Sequence, residues 1–272
     1  DEPLQQKIEI YFVDRVFGQG GYAGSAVVIS YLDRQYNGQG LYETLVHESV
    51  HVIDRQFAPR RISFLAEGVA VWATGGHYKP EDLNTRNAAL IAIDKYVPLA
   101  DLANDFYPVQ HEIGYLEAGG FVEYLVNTYG WTQFRDFYSD VTLDDADTPA
   151  GALDSNLQIY YNKTLAEMET EWRDYLHGLE MPETAVTDLA TTIRYYDVMR
   201  RYQMRYDPTA YFLTAWLPYP EDVEEYGNPA DLTRRPHTEV NVTLEAMLSS
   251  ADEALRSGNY NSASVLLDSI TR

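Results

Sequence analysis

The sequence predicts an α+β fold that is mostly α, and three observations carry that prediction. Strand signals are confined to roughly the first 35 residues, where β-branched and aromatic residues cluster. From Leu41 onward, apolar residues recur at helical spacing between glycine and proline breakers. The chain has no cysteine, so no disulfide framework can replace a core, and 45% hydrophobic with 13% aromatic residues supply one. At 272 residues it can hold one large or two modest domains.

Charge narrows the classes of partner. Lys plus Arg number 20 against 42 Asp plus Glu, a formal charge of -22, which repels nucleic acid and anionic membrane surfaces. No run of 18 or more apolar residues occurs, and Asp1-Glu2-Pro3 does not read as a signal peptide, so the expectation is a chain without a membrane span. The sequence sets no oligomeric state.

Lys7 to Val13 and Ala26 to Leu32 read as strands. The glycine-rich stretch Gly18 to Gly24 between them lacks the G-K-[ST] ending of a phosphate loop, so a hairpin connection is expected there. Next comes a helix from about Leu41 to Phe57, stopped by Pro59, which contains His47-Glu48-Ser49-Val50-His51. Two imidazoles four residues apart share one face and can each offer a ring nitrogen to one tetrahedral metal ion. Glu48 sits one step round, beside the open coordination position, where a general base belongs. The H-E-x-x-H pattern therefore predicts one zinc ion on His47 and His51, against the alternative of histidines that merely end an amphipathic core helix.

Ile62 to Trp72 reads as a second apolar helix whose one acid is Glu67. Desolvating a lone carboxylate is costly, so it needs a buried partner. Sixteen positions after His51, it can return to the metal as third ligand, or else reach solvent or pair with Arg55, Arg60 or Arg61. Gly75-Gly76 ends this helix, and His77 follows in a loop. Residues 84 to 96 read as a helix broken by Pro98. Asp105-Phe106-Tyr107-Pro108 opens another, which carries His111 and Tyr115 and runs to Tyr129-Gly130.

The order H-E-x-x-H, then F-L-A-E-G-V-A-V-W, then Y-L-E-A-G-G-F-V-E-Y-L-V-N-T-Y-G resembles the gluzincin metallopeptidases, in particular the peptidase MA-like group related to the aminopeptidase N family. The likeness covers roughly Ile8 to Leu176. It implies zinc bound by His47, His51 and Glu67, with Glu48 as the base. It also implies a tyrosine that stabilises the oxyanion, which matches Tyr115, nine positions before Tyr124-Leu125. That helix departs from the family in placing its glycine at 119 rather than 118, and a core aromatic is the alternative for Tyr115. No G-A-M-E-N-like segment is present, so aminopeptidase specificity is not implied, and no Asp stands four residues after Glu67. Asp54, one turn after His51, is the candidate to orient a ligand, or pairs with Arg55 or solvent. His111 lines the cleft or is structural. Family strands hold substrate by edge pairing, which points to Val27 to Tyr31, and the family is often secreted or membrane-attached, which points outside the cytoplasm.

Residues 131 to 176 read as helical, with acidic turns at 144 to 147 and a capping box at Thr164 and Glu167. Residues 1–180 are thus expected to form a gluzincin-like domain, with Met181-Pro182-Glu183-Thr184 as its boundary. Residues 185–272 form a helical C-terminal region: a helix over 185 to 204, a short aromatic helix at Asp207-Pro208, a loop over 217 to 242, and a tetratricopeptide-like hairpin at 244–270. The expected activity is hydrolysis of a peptide or protein substrate by zinc and Glu48, or of another amide such as a cell-wall peptide crossbridge. The rival is a zinc-stabilised binding module without turnover. The intact Glu48 argues against it, since zinc ligation alone does not require that residue.

Overall fold

The computed structural model describes residue 4 and residues 7–13, 21–30, 41–77, 81–206 and 238–272. It is mostly helical with one small three-stranded sheet. Two compact units are present, Asp1–Lys7 with Val46–Val186 and Ile8–Leu45 with Thr187–Arg272.

In the second of these units, β1 (Ile10–Val13), β2 (Gly21–Ala23) and β3 (Val27–Ser30) form a sheet in the order β1-β3-β2. β1 runs parallel to β3 with Ile10 opposite Val27, and β2 runs antiparallel with Tyr22 opposite Val28. Two expectations are corrected here. A hairpin cannot join parallel neighbours; part of the glycine-rich stretch is itself β2, and the hairpin turn is Gly24 to Ala26. β3, the strand expected to pair with substrate at its edge, is central and has both edges occupied. A three-residue strand of Gly, Tyr and Ala carries almost no β-signal, which is why the sequence does not announce it.

Residues 207–237, where the short aromatic helix and most of the long loop are expected, lie outside the described residues. The end of that loop is helical, since α10 (Glu239–Arg256) starts on the Thr238 cap. With α11 (Tyr260–Thr271) it makes the expected hairpin around Gly258, whose φ of 74° suits glycine, and Asn259, which caps α11. In the same unit, α9 (Ala185–Tyr206) buries Leu189, Ile193, Tyr195, Met199 and Tyr202. The tyrosine stripe is therefore packing, as expected, and Tyr202 also donates to buried Glu245 at 3.0 Å.

The other unit holds the rest of the helices. α1 (Leu41–Asp54), which belongs to this unit from Val46 onward, and α2 (Ser63–Thr74) carry the histidine pair and Glu67, and Gly75 closes α2 in the left-handed region with φ 70°. α3 (Leu83–Ala92) is capped by Asp82 and ends four residues earlier than expected, at a turn where Asp94 takes φ 55°. α4 (Leu99–Asn104) is one short helix that periodicity cannot reveal. α5 (His111–Tyr129), α6 (Trp131–Asp140), α7 (Pro149–Tyr161) and α8 (Leu165–His177) follow, with the Thr164–Glu167 capping box formed as read. Phe64, Phe121, Phe134, Phe137 and Trp172 are fully buried between them.

What positions the site is the closeness of α2 to α5. A Cβ at Gly68 would lie 2.6 Å from the Ala118 carbonyl oxygen, and one at Gly119 would lie 2.5 Å from a Val71 methyl. The E-G and A-G-G glycines are thus the contact points that let the Glu67 helix lie almost backbone to backbone on the Tyr115 helix. Asn87 of α3 locks α5 from the far side, donating to the Leu83 and Leu116 carbonyls at 2.8 Å each.

Candidate metal centre

α1 presents His47 and His51 on one face, as four-residue spacing requires, with ring centroids 5.0 Å apart and planes at 84°. α2 returns along that face and brings Glu67 Oε2 to 3.3 Å from Nε2 of each histidine. All three ligand atoms lie within 4.8 Å of one another, the one such group of three metal-ligating side chains among the described residues. Two imidazole nitrogens and a carboxylate oxygen are the donor set zinc accepts, with the fourth position left for water or substrate. The residues brought together are those expected from sequence, and two of the arginines that could have paired with the carboxylate pair elsewhere. Arg60 pairs with Asp144, and Arg61 with Asp54.

The electrostatics follow from burial. Glu67 is 9% exposed, which alone would raise its pKa. The His47 and His51 side chains outweigh that and hold it well below the usual carboxylate range. Burial likewise opposes the charged form of His51, but Glu67 first, then Glu48 and Asp54, leave it above the ordinary imidazole value.

Glu48 is buried beside the ligands, at 8% exposure. Tyr115 of α5 lies close by, its ring centroid 6.4 Å from that of His47. His77 stacks on Tyr115 at 4.1 Å and 22°, and His111 meets the same ring at 4.8 Å. His77 and His111 therefore both pack on the Tyr115 ring.

Asp54 does not reach solvent, and its ion-pair partner is Arg61, with the charge of Arg55 also acting on it. It is 1% exposed, ion-paired with Arg61 at 3.1 Å, and accepts a 2.6 Å hydrogen bond from the buried Tyr138 hydroxyl. Burial nevertheless raises its pKa, against the opposing pull of Tyr138 and Arg61. Arg61 also donates to the main-chain carbonyl of His51 at 3.1 Å and of Ala58 at 3.4 Å. Asp54 thus acts on the ligand helix through Arg61, holding the end of α1 and the turn into α2 in one position.

Sequence reasoning passed over Tyr107, whose hydroxyl donates to the other oxygen of Glu67 at 3.2 Å. The available signal was indirect: a buried carboxylate that spends one oxygen on a metal still needs a donor for the second.

No protein-family model, curated protein or solved structure matches this chain. The functional reading accordingly rests on the residues themselves.

Proposed function

We propose that the protein is a zinc-dependent peptidase of the gluzincin type, with His47, His51 and Glu67 as ligands. One observation carries the reading: the two histidines of H-E-x-x-H and a glutamate from a second helix converge on one point, with Glu48 buried alongside. Zinc bound there would supply a Lewis acid that acidifies a water molecule and polarises a substrate carbonyl. Glu48 takes the proton from the attacking water and delivers it to the departing amine. Tyr115, with its hydroxyl-bearing ring beside His47, donates to the oxygen on which negative charge grows. His77 stacks on that ring and His111 packs against it at a tilt, holding it in place. The substrate is a peptide or protein, cut outside the cytoplasm.

Metal content and hydrolysis of a broad quenched-peptide library, measured for the wild type and Glu48→Gln, test the proposal. The expected outcome is one zinc per chain in both proteins, with cleavage about 10²–10⁴-fold slower in the variant. Zinc in both and cleavage in neither would favour a binding module; no zinc in the wild type would sink the metal reading altogether.

A further inference from the structure

The carboxylate of Glu67 has two oxygens, and the converging histidines use one. Oε2 faces both imidazoles at 3.3 Å, whereas Oε1 accepts the Tyr107 hydroxyl at 3.2 Å. Tyr107 is itself held at three points. The Ser63 side chain lies within reach of its hydroxyl. The ring of buried Phe106 meets its ring nearly edge-on at 5.4 Å. Its backbone sits in a turn that the Val109 amide closes on the Phe106 carbonyl at 3.2 Å. Ser63 and Glu67 stand four apart on α2, so they share a face, and Tyr107 reaches across one helical turn to both. The residue is 56% exposed, so core packing does not account for its position; its polar tip alone is turned inward.

We propose that Tyr107 is a positioning residue for Glu67, holding one carboxylate oxygen so that only the other ligates; this inference rests on the metal reading above. The terminal torsion of a glutamate is broad, and an unrestrained carboxylate can turn to offer a cation both oxygens. A second oxygen on the metal would fill the position that water and substrate need. A neutral phenol prevents that rotation while leaving the ligating oxygen its charge.

The test compares full-length wild type, Tyr107→Phe and Ser63→Ala. Three quantities are measured: zinc affinity against a chelating indicator, the visible spectrum of the cobalt(II)-loaded proteins, and thermal unfolding of the metal-free proteins. Tyr107→Phe is expected to bind zinc about 10–100-fold more weakly. Its cobalt absorption should weaken, as it does when a four-coordinate ion gains a fifth ligand, and its metal-free unfolding temperature should stay at the wild-type value. Ser63→Ala should move affinity and spectrum the same way by less. If Tyr107→Phe matches the wild type in affinity and spectrum, the positioning role is overturned while the metal site stands. If affinity falls only in step with the metal-free unfolding temperature, Tyr107 is a packing residue. If the wild type itself takes up neither ion, the metal reading fails and this inference with it.

Discussion

Glu117 is the residue at which burial and charge conflict most openly. It is fully buried in α5, its Oε1 accepts the Val97 amide at 2.8 Å, and its Oε2 has no hydrogen-bond partner among the described residues. Desolvation pushes its pKa well up; the Val97 amide opposes this and nearby Glu169 adds to it. A carboxyl whose pKa is raised by folding keeps its proton after the unfolded chain has released its own, near the ordinary value of about 4.3. Unfolding then releases a proton, so stability falls as pH rises above that value, with a slope of up to about 1.4 kcal/mol per pH unit from this one group. Denaturant titrations of the metal-free protein between pH 5 and 9 should show Glu117→Gln flattening that slope and matching or exceeding the wild type at the alkaline end. A variant that is less stable than wild type at alkaline pH would mean the carboxylate is tolerated ionised. Residue identity was legible in the sequence where a residue broke a local pattern: Glu67 is the lone acid of an apolar helix, and His47 and His51 are set by spacing. Tyr107 and Tyr138 were not, because their partners lie 40 and 84 positions away and nothing local marks either ring as polar in function.

At the scale of elements, the pairing of α2 with α5 sets where Glu67 stands relative to Tyr115. Gly68→Ala places a methyl group against a backbone oxygen, which cannot rotate away as a side chain can. The helices must separate, at about 1–3 kcal/mol, and Glu67 moves with its neighbour. A shift in the denaturation midpoint accompanied by weaker zinc binding would bear this out; a midpoint unchanged from the wild type would show that the contact relaxes freely. Helices longer than two turns were readable from apolar period and caps, as in the Thr164 box of α8 and the Asn259 start of α11. The six-residue α4 and three-residue β2 were not, since each is shorter than one cycle of evidence that could separate it from a loop. Strand direction was equally hidden: two apolar runs joined by glycines suit a hairpin as well as the observed parallel pair with a third strand between them in sequence.

For the whole molecule, the governing quantity is the charge of -22. Self-repulsion of that size opposes compactness, and dissolved ions weaken it as the screening length falls from about 30 Å at 0.01 M to about 8 Å at 0.15 M. The thermal midpoint of the metal-free protein should therefore rise with sodium chloride over this range, by about 2–4 °C for each kcal/mol of repulsion removed. A midpoint that falls instead would give the larger role to surface pairs such as Arg60–Asp144 and Arg194–Asp268, which salt weakens. Among the described residues no helix is long and apolar enough to cross a membrane.

Arg61 grips the last turn of α1 by the His51 carbonyl, an atom every amino acid possesses. That grip is consequently blind to what side chain position 51 carries. On the metal reading, an exchange there would alter which cation is preferred, or abolish binding, while the Arg61 grip on the main chain stays. Chemistry and architecture at this centre can thus drift independently, and a descendant that traded its ligand would inherit the same geometry ready made.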